Sequence, residues 1–161
     1  MSTSRLAALC MAPFLACAAA MPSTALADTD ACTVLTPDQV GAAVGVPVGA
    51  GKHVTPTFVR TCTWTASGSS DVKFVTLYMQ TAAAYDGGKQ MASQMALAGK
   101  GAAVKPASVG DDGYYFVTGD QVGLLVKKGS ASFKVAVYAK LPVDRKEAME
   151  LTLAREALAK L

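Results

Sequence analysis

The chain has 161 residues, 15 of them basic and 12 acidic, and a formal net charge of +3. That charge is small and its basic residues are scattered, which argues against nucleic acid or an anionic membrane surface as partner. With one histidine in the chain, any histidine-dependent catalytic set has to use His53.

The first element is an export leader. Arg5 opens it, an apolar run extends from Leu6 to Met21, and Ala25-Leu26-Ala27 supplies small residues at a cleavage point. The run is shorter than the roughly 20 residues of a membrane-spanning helix and contains Pro13. Residues 1–27 therefore read as a signal peptide. A cut after Ala27 leaves 134 of the 161 residues, 28–161, as one extracytoplasmic domain with net charge +2 once Arg5 is gone. A second export reading takes Phe14-Leu15-Ala16-Cys17 as a poor lipoprotein box, with Cys17 lipidated and residues 18–31 as a tether. Soluble export, to the periplasm or the medium, is the leading expectation. It removes Cys10 and Cys17 with the leader and leaves Cys32 and Cys62 to pair in an oxidising compartment.

Helix signals follow at once. Thr36 is an N-cap, Pro37 suits the first helical position, Gln39 completes a Thr-x-x-Gln capping box, and Leu35 with Val40 forms a hydrophobic staple. Gly45 ends the predicted helix 37–44. Residues 45–56 are rich in Gly and Pro and read as a loop. From Thr57 the pattern is strand-like: Cys62 and Trp64 alternate with Thr61, Thr63 and Thr65, giving one apolar and one hydroxyl-bearing face. Residues 67–70 make a turn. Asp71–Gln80 reads as a strand with apolar side chains on both faces, hence a strand covered on both sides. Ala82–Ala98 has helical spacing through Tyr85, Gly88, Met91 or Ala92 and Met95, with Gly87-Gly88 weakening the start so that the helix begins effectively near Lys89. Residues 99–113 read as a loop. Three strands, 114–118, 122–127 and 132–139, follow as tight antiparallel hairpins. Asp144 and Glu147 form a second capping box for a final helix with the stripe Leu151, Ala154, Leu158, Leu161.

The predicted order is α-β-β-α-β-β-β-α. It describes an α+β fold with an antiparallel sheet of about five strands, helices packed on it, and one disulfide. Closing the loop between Cys32 and Cys62, about 30 residues, stabilises by roughly 3.6 kcal/mol in the chain-entropy account. A redox-active role favours close spacing such as Cys-x-x-Cys, which this pair lacks.

Few residues suggest chemistry. His53 lies in a flexible loop with no nucleophile beside it, and a lone loop histidine is usually solvated. Gly49-Ala50-Gly51-Lys52 resembles the tail of a phosphate loop, but Val46 stands where its first glycine belongs and His53 replaces the Ser or Thr. Asp111 and Asp112, between Gly110 and Gly113, could receive a cation or a basic group. Asp and Gly are equally what a tight turn demands, and neighbouring side chains on an extended chain point apart. Trp64 and Tyr115 are aromatic candidates for an outer sheet face. No metal site and no cofactor are implied.

Cys32-Thr33-Val34-Leu35-Thr36-Pro37-Asp38-Gln39-Val40, Gly45 and Cys62-Thr63-Trp64 together resemble a recurrent bacterial pattern. It is that of small exported or lipid-anchored domains of unknown function with a Cys-x-Leu-Leu-Thr-x-x-Glu-Val helix start and a later Cys-x-Trp. Val109-Gly110-Asp111 and the last helix extend the likeness over most of the chain. The resemblance implies a Cys32–Cys62 disulfide and an α+β fold related in outline to extracytoplasmic sensor domains of bacterial kinases. It carries no enzymatic residues. Val34 and Gln39 depart mildly from the pattern.

The expected function is thus a non-enzymatic, exported binding or sensor-like domain. Its partner is an unknown protein or small ligand of the cell envelope, not nucleic acid, and no transmembrane segment is expected after the leader. The candidate ligand residues are His53, Trp64, Asp111, Asp112 and Tyr115. Two alternatives stand beside it. A cell-envelope hydrolase would use Asp111, Asp112 and Asp120, with or without His53; a periplasmic inhibitor of another enzyme would present the loop 45–56, stiffened by Pro47 and Pro56.

Overall fold

The computed structural model describes residues 29–68, 71–99 and 101–161. The leader, with Arg5, Cys10 and Cys17, lies outside the described residues. A 3-10 turn (Ala31–Thr33) precedes α1 (Pro37–Val44). Then come β1 (Lys52–His53), β2 (Thr61–Thr65), β3 (Val72–Thr81), α2 (Ala82–Leu97), β4 (Ala102–Pro106), β5 (Asp112–Thr118), β6 (Gln121–Lys128), β7 (Ala131–Ala139) and α3 (Val143–Leu158). The fold is α+β, with seven antiparallel strands in the order β1-β2-β3-β7-β6-β5-β4.

Two meanders build the sheet. β1–β3 form one and β4–β7 the other, and β3 pairs with β7 along nearly its whole length, from Val72 opposite Ala139 to Thr81 opposite Ala131. α2 carries the chain from the centre of the sheet to its far edge. Two strands fall where loops were expected. β1 and β4 are short edge strands without apolar alternation, and their neighbours β2 and β5 bring them into the ladder. Seven strands therefore replace the predicted five.

Local signals explain most element ends. In α1 the Thr36 hydroxyl accepts from the Gln39 amide at 3.2 Å, the Gln39 side chain accepts from the Thr36 amide at 3.0 Å, and Gly45 closes the helix at φ 73°. Leu35 and Val40 are both buried, as the staple requires. α2 starts at Ala82, ahead of the predicted Lys89, because Thr81 leaves β3 as an N-cap whose hydroxyl accepts from the Ala84 amide at 3.2 Å. α3 starts after Pro142 and has no side-chain cap. Glu147, expected in a capping box, instead binds Lys105 on β4 at 2.7 Å.

The sheet separates two unequal layers. α1 and α3 cover one face. Its central row runs Cys62, Leu77, Val135, Leu124 and Tyr115 across β2, β3, β7, β6 and β5, all of them buried in one cluster with Trp64, Val75, Phe133 and Leu153. Each such side chain contributes about 1.5–3 kcal/mol of transfer free energy. α2 covers only part of the other face, over Tyr114, Phe116, Leu125 and Val104. β3 is interior to the sheet, yet among the described residues no helix covers Thr76, which stays half-buried on this second face; the expectation of cover on both sides is corrected. A register shift between Val72 and Phe74 turns Val72 into the main core and leaves Phe74 outside it.

The buried stripe of α3 also differs from expectation. Lys146, Glu150, Leu153, Ala154 and Ala157 face the sheet, while Leu151 and Leu158 are only half-buried. β7 outruns β6 here. Their ladder ends at Val135 opposite Leu124, so the Val137 amide has no β6 partner and donates to Glu150 Oε1 at 2.9 Å. Lys146 donates to the Asp120 carbonyl in the β5–β6 turn. Burial pushes the Glu150 carboxyl up to about 8, against the pull of the Val137 amide and the Lys134 and Lys146 charges.

Candidate functional site

The half of the second face that α2 leaves open is written in the alternation of β2 and β3. Thr61, Thr63 and Thr65 stand opposite Tyr78, Thr76 and Phe74, and β7 continues these rows with Lys134, Ala136 and Tyr138. Phe74 stacks on Tyr138 at 4.3 Å between ring centres, and Phe58 on Tyr78 at 6.2 Å. Stacked rings at a half-exposed surface combine apolar area with hydroxyl groups that stay wet.

This face deepens into a groove where it meets α2. A cavity of about 360 Å³ is lined by Phe116, Thr118, Gln121, Val122, Gly123, Lys134 and Tyr138. A smaller one, about 140 Å³, lies under α2 between Gly88, Met91, Ala92, Met95 and the sheet residues Tyr114, Phe116, Leu125 and Lys134. Phe116 and Lys134 belong to both, so the two form one groove with a polar end and an apolar end. Gly123 makes room for the lysine: a Cβ there would lie 2.6 Å from Lys134 Cε. Among the described residues no hydrogen bond or ion pair holds the Lys134 ammonium, in contrast to Lys89, Lys105 and Lys127. Larger volume alone does not make a better site. The hollow of about 500 Å³ along α1, walled by Asp38, Gly41 and Val48 among others, offers neither a cation nor an aromatic ring.

The residues singled out from sequence are scattered. Trp64 is completely buried and Tyr115 nearly so, on the helix-covered face; the Tyr115 hydroxyl donates to the Glu147 carbonyl at 3.1 Å. Neither presents its ring to solvent. Asp111 and Asp112 point apart, as neighbours on extended chain must. Asp111 Oδ2 accepts from the Gly129 amide at 2.7 Å and fastens one turn to another. Asp112 receives both its hydrogen bonds from Lys89 of α2, at 2.8 and 2.7 Å. That lysine holds the Asp112 carboxyl below the usual range. The Tyr85 hydroxyl faces the same carboxylate without reaching hydrogen-bond geometry, and burial first, then that charge, raises its pKa. With Asp86–Lys127 at 2.6 Å, these contacts clamp α2 onto β5 and β6.

His53 lies on β1 at the opposite edge of the sheet. Its Nε2 is 2.7 Å from Asp30 Oδ1, and this contact lowers the Asp30 pKa. Five strand spacings separate β1 from β5, roughly 24 Å, so His53 shares no site with Asp111 and Asp112. The loop 45–56 is an edge of the sheet. Val48 bridges to Ala66, Gly49 donates to the Thr65 carbonyl and Ser67 to that of Pro47.

Cys32 and Cys62 form a disulfide, Cα–Cα 4.9 Å, of the kind that persists in oxidising compartments. It ties the 3-10 turn to β2. Beside it, Gly51 passes so close that a Cβ would lie 2.6 Å from Cys62 Sγ and 2.8 Å from Trp64 Nε1. Among the described residues no helix is long and apolar enough to cross a membrane.

Sequence reasoning passed over Lys134, Tyr138 and Thr76. A signal for the first existed: Lys134 is the polar break in the alternation Phe133, Val135, Val137 of a strand that is otherwise apolar. No protein-family model, curated protein or solved structure matches this chain.

Proposed function

We propose that this chain is an exported, non-enzymatic binding domain of sensor-like type whose ligand surface is the open half of the second sheet face and the groove beside α2. One observation carries the reading: Lys134, a lysine with no ion-pair partner among the described residues, sits where a polar and an apolar hollow meet, beside the half-buried rings of Phe116 and Tyr138. A small envelope ligand with polar and apolar parts suits that division, because ligand sites combine apolar walls with a few placed polar groups. The disulfide and the leader signature support export. The hydrolase alternative finds little support, since its carboxylates are engaged in turns and ion pairs and stand apart from His53. The inhibitor alternative needs a protruding loop, and residues 46–50 are bound along the edge of the sheet.

The test is amide-shift mapping by NMR with fragments of cell-wall glycopeptide and extracted envelope lipids as probes. Saturable shifts confined to Thr63, Thr76, Phe116, Gly123, Lys134 and Tyr138, and abolished by Lys134→Ala, are expected. Shifts that gather elsewhere, or that survive Lys134→Ala unchanged, refute the assignment.

A further inference from the structure

The disulfide sits within a set of metal-ligating groups on the opposite edge of the sheet. Asp30, Cys32 and His53 each place a donor atom within 4.8 Å of the others, and the Cys62 sulfur is bonded to that of Cys32. Separate parts of the chain hold these residues. Asp30 is the N-cap of the 3-10 turn, with Oδ1 accepting from the Cys32 amide at 2.8 Å. His53 on β1 is directly opposite Cys62 on β2, so the two side chains leave the same face of the ladder. The Ala31 amide donates to the Val59 carbonyl at 2.9 Å, a backbone tie between the turn and the chain entering β2 that does not depend on the sulfurs.

While the disulfide is intact, His53 and Asp30 are the two ordinary ligands, too few for a structural zinc site. Reduction changes the donor set. We infer that the reduced chain holds one Zn²⁺ on Cys32, Cys62, His53 and Asp30, so that the same segments are joined either by a sulfur–sulfur bond or by a metal ion. The reduction needs a dithiol reductant. It supplies two electrons and two protons, the Cys32–Cys62 bond breaks to two thiols, and the reductant leaves as its own disulfide. Zinc then displaces the two thiol protons and binds two thiolates, a neutral imidazole and a carboxylate.

The geometry needs little movement. Zinc bonds of about 2.0–2.3 Å in a tetrahedron set ligand atoms about 3.3–3.8 Å apart. The donor atoms of Asp30, Cys32 and His53 are already gathered within 4.8 Å, Cys62 Sγ is bonded to one of them, and breaking that bond lets the sulfurs separate to zinc-ligand spacing. Cys32 is half-buried, which leaves a path for reductant and metal, while Cys62 anchors the site from the core. Two thiolates with one imidazole favour zinc over magnesium or calcium.

The test uses the full chain with Cys10→Ser and Cys17→Ser, so that Cys32 and Cys62 are the only thiols. The protein is reduced, freed of reductant without oxygen and titrated with Co²⁺ as a spectroscopic substitute for zinc. One equivalent is expected to give tetrahedral cobalt bands with a thiolate-to-metal charge-transfer band, and one equivalent of Zn²⁺ to abolish them. The oxidised protein should show neither. His53→Ala and Asp30→Asn should each weaken binding at least tenfold. A double variant, Lys52→His with His53→Lys, keeps the composition but moves the imidazole to the other face of β1, and should weaken binding as much as His53→Ala does. Near-ultraviolet circular dichroism follows the fold throughout, and zinc is expected to restore any signal lost on reduction. The inference is overturned by an octahedral spectrum, by the absence of stoichiometric binding whether or not the reduced chain stays folded, or by unchanged affinity in the double variant.

Discussion

The two faces of the sheet come from the same strands and obey the same alternation, yet they have opposite characters. Under α1 and α3 the row Cys62, Leu77, Val135, Leu124, Tyr115 is apolar and closed. One residue away on each strand, the opposite face shows Thr63, Thr76 and Phe116, each half-buried, with Ala136 and Gly123 buried between them. The buried apolar residues are concentrated on the covered face. The covered face also buries Lys146 and Glu150: the carboxylate meets an amide that β7 leaves unpaired, and the ammonium a carbonyl of the β5–β6 turn.

The sharpest contrast compares adjacent residues of β3. Leu77→Ala should cost about 2–5 kcal/mol, the usual range for truncating a fully buried leucine, whereas Thr76→Ala should fall within about 0.5 kcal/mol of the parent. Urea unfolding of both measures the difference. Equal costs would mean that the second face is covered too. Next comes the disulfide: Cys32→Ser with Cys62→Ser should lose about 3.6 kcal/mol in the same experiment. A loss near zero would mean that the backbone tie at Ala31 already confines the loop.

The buried pair supplies a pH dependence. The Glu150 carboxyl titrates near 8 in the fold against an ordinary value of 4.5. The folded state therefore holds a proton that the unfolded chain gives up, and this group lowers stability progressively as pH rises from about 4.5 to about 8, by at most about 1.4 kcal/mol per pH unit. Below that window both states are protonated, and above it both are ionised. Glu150→Gln keeps an acceptor for the Val137 amide and should flatten the curve between those limits. An unchanged curve would place the titrating group elsewhere.

Smaller effects belong to α2 and the groove. Lys89→Met removes a half-exposed pair with Asp112 and should cost no more than about 1 kcal/mol, with amide exchange accelerated in α2 ahead of the rest. Gly123→Ala should change stability least, because the atom it meets is the far end of a flexible lysine, yet it should displace Lys134 and shift the amide resonances of Phe116 and Tyr138. Their remaining in place would separate Lys134 from the groove.

Much of this was readable one segment at a time. Thr36, Pro37, Gln39 and Gly45 determine α1 because capping chemistry is local, and alternation determines β2 and β3 because period-two side chains follow from the strand itself. The threonine face was equally visible in Thr61, Thr63 and Thr65. What alternation cannot say is which face a helix will cover. Trp64 and Tyr115 became core, and Lys134 became the centre of the groove, only when α2 crossed to the far edge of the sheet. β1 and β4 are strands because β2 and β5 present unpaired backbone to them, not because of their own residues. Glu150 is buried because a ladder ends at Val135. The sequence by itself thus determined the elements whose hydrogen bonds close within a few residues. The tertiary structure decided the edges, the exposed face and the grouping of Asp30, Cys32, His53 and Cys62, because each depends on partners many residues away.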